Sequence, residues 1–288
     1  MMDKEAHSEN MYVLDPESPV EMARLIDLDR VVTKAMGGTL VGVANLPEEA
    51  KVLDLACGPG GWALDVAFEH PEVEVAGVDI SKTMIDYAYA RAHTQHLTNV
   101  SFGVMDITQP LDFSDETFDL VNARLLAGVL RRESWQSFLT ECTRILKPGG
   151  ILRLTEPVDV IGITSSAAYE RLVDLTHQAL WRLGYGFSVD GRTLGATTTL
   201  PWLLRKMGYR NVHNLARTLE FSSDCQEAWQ DMYRNLQAAS YLAPKFYLKA
   251  GVIAQEEIEP LYQRAFMEML AEDFRGMWHF VTVLGIKP

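Results

Sequence analysis

Between Lys51 and Leu154, short apolar runs alternate with stretches of helical spacing, and the first run ends in a glycine loop, Asp54-Leu-Ala-Cys-Gly-Pro-Gly-Gly61. Val52, Leu53 and Leu55 predict a strand before that loop, and residues 62–69 a helix after it. Residues 73–78 predict a second strand, and Ser81 is placed to cap a helix running to about Ala92. Strands follow at 100–104, 118–122 and 151–154. A helix at 135–146 closes at Lys147-Pro148-Gly149-Gly150. This alternation calls for a doubly wound α/β fold, a mostly parallel sheet with helices on both faces.

The flanks are different. Met22, Leu25, Ile26, Leu28, Val31 and Val32 have the spacing of an amphipathic helix, stopped by Gly37-Gly38. After Glu156 come predicted helices at 167–183 and 200–207, a strand at 212–221, a helix-rich stretch at 225–274 and a last strand at 278–284. No linker or repeat interrupts the chain. We therefore expect one domain over 1–288, with an N-terminal arm and lid helix (1–44), a binding core (45–158) and covering helices with the last strands (159–288). The sheet is expected to have seven strands, with the helical stretch inserted before the last.

The charge balance narrows the partners. The net charge is -13, and basic residues do not cluster beyond adjacent pairs such as Arg131-Arg132. A nucleic-acid partner needs a basic face, so none is expected. Cys57, Cys142 and Cys225 lie far apart and form neither a disulfide framework nor a metal motif, and no metal is expected. No apolar run reaches the roughly 20 residues of a membrane span. The polar, acidic start does not read as a targeting peptide. The expectation is a cytoplasmic protein with no membrane partner; its oligomeric state is not set by these features.

The loops carry the chemistry. A glycine turn opening a helix lets backbone approach a ligand and presents free N–H groups. Gly58, Gly60 and Ala63 satisfy a dinucleotide-type GxGxxA pattern, but Asp54 would repel a pyrophosphate. A carboxylate there suits a ligand bearing an ammonium and a sulfonium. Asp79, at the end of the second strand, lies where the two hydroxyls of a ribose would reach it, with Ile80 under the base. Asp106, with Ile107, is placed to accept from an adenine amino group.

Taken in order, Val52 to Leu154 resembles the class I S-adenosylmethionine-dependent methyltransferases. Arg24-Leu25, His70-Pro71 and the run from Asn122 to Gly128 resemble more narrowly the fungal LaeA-like group and its bacterial relatives. The resemblance implies a Rossmann-like fold and S-adenosylmethionine as cofactor, with S-adenosylhomocysteine as product. It implies that Asp54, Ala56, Gly58 and Gly60 surround the methionine part, that Asp79 holds the ribose and Ile80 the adenine face, and that Asp106 and Ile107 hold the adenine edge. Asn122, Ala123 and Arg124 would lie beside the sulfonium. Tyr12 would close over the cofactor. Ala56 departs from the family, which often has glycine there.

The core motifs do not encode the acceptor. The covering segments contain Tyr169, His177, Trp181, Tyr185, Phe187, Trp229, Tyr233, Tyr241, Phe246 and Tyr247. Most aromatics at helical spacing are core packing. His177, on the helix after the fifth strand, is the best-placed candidate base. The expected function is methyl transfer to a small, apolar or aromatic molecule. The alternatives are a regulatory protein that binds S-adenosylmethionine and a cyclase on the same fold; Asp54 weighs against a nicotinamide oxidoreductase.

Overall fold

The computed structural model describes residues 14, 17–44 and 46–288. Tyr12 lies outside the described residues. The first helix, α1 (Pro19–Met36), starts with proline at its first position and ends on Gly37 in the left-handed region. It buries Leu28, Val31, Val32 and Met36.

Five parallel strands follow: β1 (Lys51–Leu55), β2 (Glu74–Asp79), β3 (Val100–Val104), β4 (Phe118–Arg124) and β5 (Leu146–Pro157). Helices α2 (Gly61–Glu69), α3 (Lys82–Thr94) and α4 (Trp135–Ile145) connect them. Ser81 caps α3 as expected, accepting the Met84 N–H at 3.2 Å. Beyond β5 come β6 (Ile163–Thr164), α5 (Ala167–Arg182), α6 (Ala196–Lys206) and β7 (Arg210–Glu220). Then α7 (Gln226–Leu242), α8 (Pro244–Ala250) and α9 (Gln255–Met269) precede β8 (Gly276–Ile286).

The sheet runs β3-β2-β1-β4-β5-β8, with β8 antiparallel to β5, to β7 and to the two-residue β6. The described strands number eight, one more than the seven expected, because β6 pairs with Gly276 and Met277 where β8 runs past the end of β5. A second difference concerns Lys147–Gly150. Rather than a turn outside the sheet, these residues lie within β5, where Leu146 pairs with Phe118 before an irregularity in register. Two buried clusters lie on opposite faces. One holds Trp62, Leu64, Val66 and Ile85 from α2 and α3; the other holds Phe138 and Leu139 from α4 with the later helices. Each fully buried Leu or Phe contributes about 1.5–3 kcal/mol. The sheet is thereby fixed from both sides, and the carboxyl ends of its strands are left to shape a site.

Candidate functional site

Sheet register places Asp54, Asn122 and Arg153 side by side on β1, β4 and β5. Asn122 Nδ2 donates to Asp54 Oδ1 at 2.8 Å, and the Arg153 guanidinium donates to Asn122 Oδ1 at 2.6 Å. All three are buried. Burial pushes the Asp54 carboxyl up to about 6, against the pull of Arg124 and the Asn122 hydrogen bond. Burial and the nearby Arg124 push Arg153 down to about 9. Two residues further along β4, Arg124 pairs with Asp29 of α1 and donates to Thr33 Oγ1 at 3.0 Å. Both guanidiniums lie 5.9 Å from the Trp62 ring, within cation–π range.

The glycine loop turns on Ala56 (φ 53°), Gly58 (φ 52°) and Gly60 (φ 75°). Asp79 holds it: one carboxylate oxygen accepts the Gly58 N–H and the other the Ser81 N–H, both at 2.9 Å. Each oxygen keeps a further lone pair for a ligand hydroxyl. Burial raises the Asp79 carboxyl above its ordinary value, and the backbone donors oppose this. Gly60 has a packing reason: a Cβ there would sit 2.8 Å from Ala88 Cβ and from the Phe102 ring. At Gly61 a Cβ would collide with Asp29 Oδ2, so α1 delivers a carboxylate onto the first residue of α2.

Part of this set opens on one cavity of about 330 Å³. Asp54, Ala56, Gly58, Asp79, Ile80, Asp106, Ile107 and Arg124 all line it. Asp106 is also the hub of a local turn, its Oδ1 accepting the Thr108 N–H at 2.9 Å and the Thr108 hydroxyl at 2.7 Å. The donor set suits a ligand with a cation and a ribose: carboxylates at two strand ends, and no Lys or Arg within the glycine loop.

A family model described as a methyltransferase domain matches residues 52–150. Methyltransferase pytC of Aspergillus terreus is 30% identical over 286 residues, covering 95% of this chain and 82% of that protein. The chain belongs to the S-adenosylmethionine-dependent methyltransferases. S-adenosylmethionine is the cofactor of this family. The secondary metabolism regulator laeA of Coprinopsis cinerea is 26% identical over 76% of this chain, which spans about half (55%) of that protein's length. The cyclase SpnF shares the fold, with a TM-score of 0.51 and 20% identity over 93% of this chain and 96% of that one.

The methyltransferase places some expected residues away from the cavity. Gly60 packs behind the loop, and Asn122 and Ala123 are fully buried in β4. Asn122 donates to Asp54, and Ala123 is sheet core. His177 requires correction as a candidate base. It is 3% exposed, does not line the cavity, and its Nε2 accepts the Val160 N–H at 3.3 Å. With Nε2 accepting, the proton of the neutral ring sits on Nδ1, and no lone pair remains for an incoming proton. Burial also lowers its pKa, opposed by Asp159 and Asp174.

Of the aromatic candidates, Phe246 and Tyr247 line the cavity. Tyr169 and Tyr185 are core, Trp181 and Tyr241 are exposed, and Trp229 stacks on Tyr233 at 5.0 Å. Residues not anticipated are Arg24 and Asp29 on α1, Glu156 at the end of β5, Thr176 on α5 and Tyr262 on α9. The one signal that could have found Glu156 is its position, a lone acidic residue ending an apolar strand.

Proposed function

We propose that this methyltransferase moves the methyl group of S-adenosylmethionine to a small, largely apolar acceptor. One observation carries the reading: the cavity does not end at the cofactor loop. Besides the loop residues and Arg124, its lining includes Leu126, Val160, Leu180, Phe246 and Trp278, which we read as an acceptor chamber, with the hydroxyls of Thr176, Tyr247 and Tyr262 as local polar fittings. Thr176 Oγ1 and Tyr247 Oη lie 2.8 Å apart, and Tyr262 Oη is 3.5 Å from Tyr247 Oη.

The cofactor supplies an electrophilic methyl on a cationic sulfur, and the chain's work is alignment in a dry site. Asp79, pinned by Gly58 and Ser81, is placed to hold the ribose. Asp54, fixed by Asn122, faces the ammonium end. Arg124, held by Asp29, fixes α1 against the strand ends and excludes water. α1 and α7 form the roof: Arg30 bonds Asp231 at 2.7 Å, Lys34 bonds Glu227 at 2.6 Å, and Arg24 donates to Asn235 at 3.1 Å. Leu14 lines the cavity too, which supports reading the described part of the arm (1–44) as cover over the core (45–158). The later segment (159–288) supplies the acceptor walls of what we read as one domain.

Among the described residues no helix is long and apolar enough to cross a membrane. The three cysteines are free, which fits a reducing cytoplasm.

The test is incubation with methyl-labelled S-adenosylmethionine and a panel of apolar hydroxylated and amino compounds. Label in an acceptor, matched by S-adenosylhomocysteine, is the expected result. Cofactor binding with no transfer to any acceptor would make the chain a regulator, and conversion without S-adenosylhomocysteine would make it a cyclase.

A further inference from the structure

Glu156 lines the cavity beside the turn that joins Arg124 to Leu126 and Ala127. β5 carries it one position beyond Thr155, which pairs across the sheet with Arg124. It is 1% exposed and lines the cavity. Its Oε1 accepts the Leu126 N–H at 2.7 Å and its Oε2 the Ala127 N–H at 3.1 Å, on the turn that follows β4. Those two bonds fix the carboxyl group against the turn. They leave each oxygen a further lone pair.

Of the other cavity carboxylates, Asp29 is paired with Arg124, Asp54 accepts from Asn122 and Asp106 from Thr108, while Asp79 is held like Glu156 by two backbone N–H groups but spends them on closing the glycine loop. Among the described residues no cationic side chain is bonded to Glu156. A buried carboxylate without a counter-charge holds its proton tightly, and burial pushes this one up to about 8, opposed only by its two backbone donors. The charged and titratable groups around the same cavity are Arg24 and Asp29 from α1, Asp54, Asp79 and Asp106 at the strand ends, Arg124 from β4, and Tyr247 and Tyr262 from α8 and α9. None of them contributes to the environment that raises Glu156.

Building on the methyltransferase reading, we propose that Glu156 is the proton acceptor of the transfer, converted from carboxyl to carboxylate by the cofactor's sulfonium, and that the acceptor presents a weakly acidic hydroxyl, a phenol or an enol, on an apolar body. An opposite charge within about 4–6 Å lowers a carboxyl pKa by about 1–3, so the cation that makes the methyl electrophilic also frees the base. The acceptor's O–H bond breaks and its proton passes to Glu156. The oxygen–methyl bond forms as the methyl–sulfur bond breaks, and that electron pair stays on sulfur. The products are a methyl ether, S-adenosylhomocysteine and a neutral Glu156 carboxyl.

Two features select the hydroxyl acid. A base works best when matched to its acid; a carboxylate held near neutrality matches a phenol or enol, whereas a neutral amine attacks through its lone pair before any proton leaves. The second is the hydroxyl chain of the chamber. Thr176 donates to Leu172 O at 2.8 Å, so Tyr247 donates to Thr176, and Tyr262 donates to Tyr247 Oη at 3.5 Å or to Ala239 O at 3.3 Å, so every hydroxyl proton of the chain is spent within the protein. Chamber and base both ask the ligand for protons.

The test needs no known acceptor. S-adenosylmethionine and S-adenosylhomocysteine differ by one methyl and one charge at the sulfur. Calorimetry on the wild type and Glu156→Gln from pH 6 to 9 gives the ratio of their affinities. In the wild type the ratio should rise in favour of S-adenosylmethionine by about tenfold, with proton release on its binding, and in Glu156→Gln that rise should vanish. Asp54, held up to about 6, titrates at the bottom of this window and remains in the variant. A flat ratio in the wild type, or the same rise in the variant, overturns the proposal; Glu156 would then only brace the turn at Leu126. Should the variant fail to fold, infrared difference spectra of the wild type decide. A protonated-carboxyl band present with S-adenosylhomocysteine should disappear with S-adenosylmethionine, and its persistence overturns the proposal. Failure of both ligands to bind would instead remove the methyltransferase reading on which the proposal rests.

Discussion

At the cofactor end of the cavity, polar side chains hold one another across neighbouring strands. At the proposed acceptor end they are set among apolar ones and come from one strand and three helices, with Thr176, Tyr247 and Tyr262 linked only through their hydroxyls. Asp54, Asn122 and Arg153 form one row, fixed by sheet register and by hydrogen bonds of 2.8 and 2.6 Å. Glu156, Thr176, Tyr247 and Tyr262 come from β5, α5, α8 and α9 and share no register. A row fixed by the backbone tolerates little change, because each member's partner is buried with it. A chamber of separate side chains can alter one wall and keep the rest. The fold thus keeps the cofactor end rigid and leaves acceptor choice to replaceable parts.

The largest expected effect tests the rigidity of the row. Arg153→Met keeps the volume and the contact with Trp62 but leaves Asn122 Oδ1 without its donor and Asp54 with less compensation. Losing a buried hydrogen bond from a charged donor costs about 1.5–3 kcal/mol. The cost should depend on pH. The folded-state pKa of Asp54 is raised from 3.8 to about 6, so its contribution to stability is full below about pH 4 and is lost as pH rises through 6. The carboxylate present above pH 6 is the form that needs Arg153. Urea denaturation should therefore show a larger loss at pH 8 than at pH 5. An equal loss at both would mean that Arg153 acts through packing alone, and the row would not be an electrostatic unit.

The next effect tests whether the two ends are independent. Asp79→Ala removes the acceptor for two backbone N–H groups and for the ribose. Losing hydrogen bonds to a charged group costs about 1.5–3 kcal/mol, roughly a tenfold to hundredfold loss of S-adenosylhomocysteine affinity. Tyr247→Phe removes one hydroxyl from the chamber and should leave that affinity within about twofold. Calorimetry on both variants measures the contrast. A large loss in Tyr247→Phe would show that the chamber and the cofactor loop are coupled, and the comparison would fail.

The same difference explains what was legible in the sequence. At the cofactor end each residue type answers to a local demand of the backbone. A strand must end in a tight turn, so Gly58 and Gly60 follow; an acidic residue must end the next strand, so Asp79 follows. Such demands leave marks at fixed spacing. The strand-helix alternation is legible for the same reason, while the two-residue β6 is too short to mark the sequence. At the acceptor end no spacing links Thr176, Tyr247, Tyr262 and Trp278, which meet only after α5, α8, α9 and β8 have packed. His177 shows the limit most sharply. Its neighbour Thr176 lines the cavity together with Leu180, one helical turn on. One residue along an α-helix turns a side chain by about 100°, which sends His177 to the backbone of Val160 instead.

The smallest expected effect concerns Ala56, a residue with a side chain at a left-handed position of the glycine loop. Ala56 adopts φ 53°, a left-handed conformation that costs an L-residue about 1–2 kcal/mol. Glycine would remove that strain, but it loses about 0.5–1 kcal/mol more conformational freedom on folding than alanine. The half-buried methyl also packs against the core cluster that includes Leu28 and Leu55, and its removal gives up part of the roughly 0.8 kcal/mol of a buried carbon. The three terms nearly cancel, so Ala56→Gly should change stability by between about 0 and 1 kcal/mol in the favourable direction, seen as a small rise in Tm. S-adenosylhomocysteine affinity should stay within about twofold, because Gly58 and Asp79 hold the loop whatever stands at 56. A loss of stability beyond about 1 kcal/mol, or a clear weakening of the cofactor, would show that the methyl forms a wall of the site. In that case the cofactor end too would contain a part specific to this chain, and the line between a fixed half and a variable half would have to be drawn nearer the sulfonium.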